Sequence, residues 1–267
     1  MVATVARVPI LLATAVIAAA AADGFAQRAS GLGFSLIAAP SLALAAGPRD
    51  GVAMTNLLAL VVALAVLATS ARRLDPARAA ILVPAGLAGV VPGTLVFRLL
   101  PAGLLQVTVG TVTGLGLAAA AVARRRLRAE PRRRLRDEPG RLRDEPRPAT
   151  TAVAGLASGF SSAVAGAGGP PLTIYAVTTG WSQPLFAATG QVSYAAQAAT
   201  AVMLKGIPPV PIGWLCAAVA ATLGGVATAH LLSHRINPAH ARRAALGIAA
   251  VATAVTTVHG IALLAGL

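Results

Sequence analysis

Two short stretches of this chain combine residue types that bind ligands through the backbone. Residues 166–171 read Gly-Ala-Gly-Gly-Pro-Pro, and residues 31–35 read Gly-Leu-Gly-Phe-Ser. Where a helix is broken, the unpaired N–H groups of the following half-helix point at the gap with about half a positive charge of macrodipole behind them. Such a gap suits an anion. Gly168 and Gly169 let the backbone approach a ligand with no Cβ in the way, and Pro170 and Pro171 fit the first turn of the next half-helix, where their missing N–H groups would be unpaired anyway. Gly31 and Gly33 form a looser version of the same device, with Ser35 adding a hydroxyl. The spaced pairs Gly155/Gly159 and Gly110/Gly114 read differently, as small residues that let helices pack closely.

Other residues extend or narrow this chemistry. Thr55-Asn56 and Gln191, with Thr189, Ser193 and Tyr194 nearby, can hydrogen-bond substrate oxygens or simply join packed helices, and the sequence leaves both readings open. Ser161 and Ser162 precede the second break and can line its approach. No Asp or Glu lies inside an apolar run; the nearest acids, Asp23 and Asp50, stand at run ends. Cation-coupled carriers use intramembrane carboxylates, so their absence tilts the reading toward an anion. His230 and His234 lack a third ligand, and Cys216 is the lone cysteine, so no metal site, cofactor or disulfide is expected. With no Walker loop, redox cysteine pair or hydrolase triad, an enzyme has no residues to rest on.

The elements that must position these residues follow from composition. Of 267 residues, 57% are hydrophobic and only 11% charged. Mean hydropathy is +0.77. A water-soluble domain needs roughly a quarter of its residues charged, so a soluble globule is excluded. Apolar runs fall at about 5–22, 31–47, 51–70, 79–97, 102–123, 149–167, 170–180, 186–204, 209–232 and 244–265, against about 20 residues needed to cross a bilayer. Residues 1–22 also carry the features of a signal peptide, but pair better with a later counterpart.

The net charge of +14 is concentrated: eleven of the 22 basic residues lie between Arg124 and Arg147, where R-L-R-x-E-P recurs. Charge confined to short gaps between apolar runs reports topology. Pro131, Pro139 and Pro146 forbid one continuous helix there, and no aromatic residue interleaves the arginines to stack on bases, so nucleic acid is not an expected partner. The partners expected are the lipid bilayer and a small anion; a homodimer is compatible with the sequence.

A shift of 135 residues brings Gly24-Phe25 onto Gly159-Phe160, Gly33 onto Gly168, Asn56 onto Gln191 and Gly89 onto Gly224; after two more, Arg98-x-x-Pro101-Ala102 falls on Arg235-x-x-Pro238-Ala239. Colinear matches over about a hundred residues indicate duplication. With the arginine gaps 71–78, 124–148 and 233–243 all cytoplasmic, equivalent segments run in opposite directions. The expected fold is therefore an all-α polytopic membrane protein of two inverted repeats, residues 1–123 and 149–267, joined by an Arg-rich cytoplasmic linker at 124–148. Each repeat has about five segments, one of them a broken or re-entrant helix, giving eight to ten spans in all. Inverted repeats place substrate at their interface near the midplane.

The paired breaks, the second within Gly-Phe-Ser-Ser-Ala-Val-Ala-Gly-Ala-Gly-Gly-Pro-Pro-Leu, resemble those of the TauE/SafE family, the sulfite-exporter-like permeases. The resemblance covers nearly the whole chain, and Gly166, Gly168, Gly169, Pro170 and Pro171 carry its most specific motif. It implies a multi-pass carrier of the bacterial plasma membrane for sulfite, sulfonates or related sulfur-containing anions. In the first half, Phe34, Ser35 and Leu36 stand where the family pattern has more glycine and proline, which implies a substrate of different size or polarity. The alternatives from other classes are a non-transporting membrane scaffold whose linker binds a cytoplasmic partner, and a cation-coupled carrier of a neutral metabolite.

Overall fold

The computed structural model describes residues 14, 16–25, 35–70, 74–129, 147–231 and 238–266, and among these there is no strand. The helices follow in the order α1 (Val16–Phe25), α2 (Ala38–Ala45), α3 (Pro48–Ser70), α4 (Pro76–Leu99), α5 (Ala102–Ala129), α6 (Pro148–Ala165), α7 (Gly169–Thr178), α8 (Gln183–Lys205), α9 (Ile212–Leu231) and α10 (Pro238–Ala265).

Five described helices are long and apolar enough to cross a membrane: α3, α4, α5, α9 and α10. The eight to ten spans expected from sequence exceed this number, and composition explains part of the gap. Helices α6 and α8 have 18 and 23 residues, but they carry Ser158, Ser161, Ser162, Gln191, Ser193 and Gln197, which lower their hydropathy. Helices α2 and α7 have 8 and 10 residues, and of α1 the described part is Val16–Phe25. Boundaries elsewhere follow local chemistry. Asp75 caps α4 by accepting from the Arg78 N–H at 3.1 Å, with Pro76 in the first turn. Helix α5 is described through Ala129, six residues into the segment read as linker, in keeping with the helix preference of arginine, leucine and alanine. The remainder of that linker, 130–146, lies outside the described residues.

Polarity is distributed inside out. Val91, Leu95, Leu99, Val153, Met203 and Val251 face outward, while Thr55, Asn56, Gln106, Ser158, Ser193 and Gln197 are buried. In water both halves of that distribution would be unfavourable; in lipid the apolar exterior is solvated and the interior pairs its own polar groups.

Glycine sets the closest helix contacts. A Cβ on Gly159 of α6 would overlap the Gly86 carbonyl of α4, and one on Gly89 would overlap the Leu156 carbonyl. Helices α1 and α9 meet in the same way, Gly24 against the Thr222 carbonyl and Gly225 against that of Ala21. Gly110 of α5 leaves room for Thr257 of α10. These are the close approaches that small residues permit between membrane helices. Gly159→Leu is therefore expected to separate α4 from α6 and to lower the melting temperature in detergent, an overpacking loss of about 3 kcal/mol. Gly224→Ala, at a position with nothing within 4 Å, should leave the melt unchanged; equal melts for the two variants would refute the seam.

Candidate functional site

Helix α6 ends because Gly166 adopts a left-handed conformation, φ 71°, its N–H donating to the Ser162 carbonyl at 2.9 Å while Ala167 N–H reaches the Ser161 carbonyl at 3.4 Å. Three residues later α7 begins at Gly169, with Pro170 and Pro171 inside its first turn. Helix thus stops at Ala165 and starts again at Gly169, and residues 161–170 are all buried. The prolines have a second consequence: lacking N–H groups, they leave the start of α7 with the dipole but fewer donors, so side chains must supply the rest.

Those side chains come from α6 and α8. Ser158 Oγ donates to the Gly168 carbonyl at 2.7 Å and lies 3.1 Å from Gln197 Oε1. Gln197 Nε2 donates to Ser193 Oγ at 2.8 Å. A Cβ on Gly168 would sit 3.0 Å from Gln197 Oε1, 3.1 Å from Ser162 Cβ and 3.2 Å from Ser158 Oγ, so only glycine fits without displacing this network. Gly86 of α4 makes the room that Gln197 occupies.

On the other side α3 and the end of α8 close on the last turn of α6. Asn56 Nδ2 donates to the Ser162 carbonyl at 2.9 Å. Lys205 Nζ donates to Asn56 Oδ1 at 2.6 Å and to the Ala163 carbonyl, and stands 4.2 Å above the Phe97 ring. A cation at these carbonyls complements the negative end of the α6 dipole. Thr55 packs against Gly166, its Cβ 3.0 Å from where a glycine-replacing Cβ would lie.

The first break is organised differently. Gly31 and Gly33 lie outside the described residues. Ser35 is buried and has φ 96°, a left-handed value held by no other non-glycine residue among those described. Asp23 explains it: its carboxylate accepts from the Ser35 N–H at 2.6 Å and the Ile37 N–H at 3.1 Å. Asp23 stands at a run end, in the last turn of α1, as the sequence places it; what the sequence does not report is its burial. Asp23 is 2% exposed, and the chain's own carboxyl group already takes up backbone N–H groups at the entrance to α2. The two breaks share one neighbour, because a Cβ on Gly116 of α5 would lie 2.6 Å from Pro170 Cγ and 2.7 Å from Leu36 Cδ2.

The structure therefore gathers Gly166, Gly168, Gly169, Pro170, Pro171 and Asn56, and brings Leu36, next to Ser35, to the same face of Gly116 as Pro170. Gln191 is buried with its Oε1 unpaired, but the α8 residues at the break are Ser193 and Gln197, because the helical period turns those two toward α6. Sequence reasoning missed Ser158, Gln197, Lys205 and Asp23. Ser158 was findable, since the 135-residue shift that aligns the glycines sets it on Asp23, and so was Lys205, the only lysine of the chain. No group of three or more metal-ligating side chains occurs among the described residues.

The family described as Sulfite exporter TauE/SafE matches residues 15–256, most of the chain and both breaks. The chain belongs to that family. The TauE/SafE assignment makes it a multi-pass transporter of the cell membrane and not an enzyme, as its residues implied. No curated protein and no solved structure gives a match.

Proposed function

We infer that the chain is an alternating-access carrier for a small sulfur-containing anion of the sulfite or sulfonate class, held at the α6–α7 break. The carrying observation is the composition of that break: a buried helix interruption lined by Ser158, Gln197 and Asn56, with the Lys205 ammonium beside it. The Asn56 and Gln197 amides and the Lys205 amine each keep N–H hydrogens beyond the bonds they make within the protein, and these match an oxyanion's acceptor oxygens. Asp23 does not compete for this role, since both its oxygens accept backbone N–H groups at the other break.

An inverted two-fold repeat is the arrangement this reading calls on, and the helix pairings support it. If α1–α5 correspond to α6–α10, the pairs α1/α9 and α6/α4 exchange, α2/α10 and α7/α5 exchange, and α3/α8 and α5/α10 map onto themselves; all of these pairs are in contact. Gly225, one residue beyond the counterpart expected from the plain shift, fills the packing role of Gly89. The arginine gaps add the inversion. One chain then carries a complete path, and the homodimer is not required.

Purified protein in liposomes should take up radiolabelled sulfite saturably, with competition by small sulfonates and none by uncharged analogues. Uptake of a neutral solute driven by sodium or pH, with none of sulfite, would contradict the reading. Deleting residues 130–146, beyond the end of α5, should leave sulfite flux within about twofold of the intact chain. A scaffold working through that linker would instead lose its partner, and the full chain would show no flux.

A further inference from the structure

Helices α4 and α8 run side by side in the same direction. Asp75 N–H donates to Thr189 Oγ1 near their starts, Gln197 fills the space at Gly86 midway, and Arg98 donates to the Leu204 carbonyl at their ends. A cation stands on an aromatic ring at each end of this pair. Lys205 over Phe97 has been described; at the opposite end the Arg78 guanidinium carbon lies 4.6 Å from the Trp181 ring centroid. The Ser158–Gln197 network lies between the two.

The Arg78 end has an unusual hydrogen-bond balance. Arg78 is 9% exposed and meets one carboxylate oxygen of Asp75 at 3.4 Å. Its Nε–H has no acceptor, nor has Trp181 Nε1–H or the Tyr194 hydroxyl. Tyr194 packs on the same cluster as Trp181, Phe186 and Tyr175. Tyr175, by contrast, is paired through its hydroxyl with Thr151 at 2.7 Å. A buried polar group without a partner is unfavourable, and native interiors hold few. Three from α4, the α7–α8 connection and α8 share one cluster, and all three are donors. What they lack is an acceptor-rich ligand, and the guanidinium fixes its sign as negative.

We propose that Arg78, Trp181 and Tyr194 form a second anion-binding station, at the end of the α4–α8 pair remote from Lys205 and on the face the arginine gaps make cytoplasmic. Its ligand is a small oxyanion of the class carried, which rests on the transport reading above. Asp75 is the internal competitor for Arg78, so the station is held partly closed until an anion displaces that carboxylate.

Trp181 reports on this directly. In the Trp214→Phe background it is the remaining tryptophan, and sulfite should change its fluorescence saturably, whereas sodium chloride at matched ionic strength should not. Arg78→Gln should weaken the sulfite midpoint at least tenfold, with Arg78→Lys as a milder second variant should the first fail to fold, and Tyr194→Phe should weaken it severalfold. Asp75→Asn keeps a capping side chain but removes the competitor, and should tighten the midpoint. A midpoint unmoved by the Arg78 and Asp75 variants, or a response equalled by chloride, would overturn the station. The Gly168→Leu/Gly169→Leu variant separates this from the transport reading. A persistent Trp181 response with flux abolished supports both; flux retained there sinks the break while leaving the station; a silent Trp181 with flux abolished sinks the station alone.

Discussion

Replacing Gly168 and Gly169 together by leucine is expected to abolish sulfite flux, to below about one percent of the unsubstituted chain, while the protein still reaches the membrane. The reason is local and steric. A Cβ at Gly168 already falls within 3.0–3.2 Å of Gln197, Ser162 and Ser158, and a leucine must push all three aside and fill the gap they surround. Gly168 has φ −79° and ψ −13°, so backbone conformation does not forbid the substitution. The helices on either side keep their own packing, α6 against α4 and α7 against α5. Overpacking of this kind costs about 1–3 kcal/mol, which membrane-embedded protein can survive. Transport measured in liposomes beside membrane content gives the result, and wild-type flux at normal abundance would remove the break from the site.

The second large effect is expected at Lys205. Lys205→Gln keeps a donor that can reach Asn56 Oδ1 and the Ala163 carbonyl, but removes the ammonium that stands beside the break. A hydrogen bond to a charged group contributes about 1.5–3 kcal/mol. The sulfite concentration for half-maximal uptake should therefore rise by about tenfold or more, while Lys205→Arg, which restores charge with a bulkier head, should recover part of the loss. A cation acting only as a cap on α6 would behave otherwise, with the glutamine variant losing melting temperature and keeping its half-maximal concentration. Measuring both quantities on the same preparation separates the two roles.

How much of this was legible beforehand depended on the kind of signal. The break at Gly166–Pro171 was readable because glycine and proline interrupt a helix by covalent geometry, whatever surrounds them. The inside-out architecture was readable because 57% hydrophobic residues leave a chain no aqueous alternative. Asp23 was readable as an end-of-run acid but not as a buried one, because its burial depends on a backbone turn twelve residues away, at Ser35, and no local pattern reports that contact. Gln191 was favoured over Gln197 because the repeat shift set it against Asn56, yet the three-dimensional neighbour of the break is chosen by the helical period of α8. Ser158 and Lys205 were overlooked for a related reason: a serine in an apolar helix and a lysine at a helix end are ordinary until a partner from another element reaches them.

Counterflow tests the central claim most directly. Liposomes holding this protein and loaded with unlabelled sulfite are diluted into a trace of radiolabelled sulfite. The account predicts transient accumulation of label above equilibrium, absent in Gly168→Leu/Gly169→Leu and shifted to higher sulfite in Lys205→Gln. Folded wild-type protein that gives no overshoot with sulfite or any small sulfonate, or an overshoot unaffected by the glycine substitutions, would contradict it.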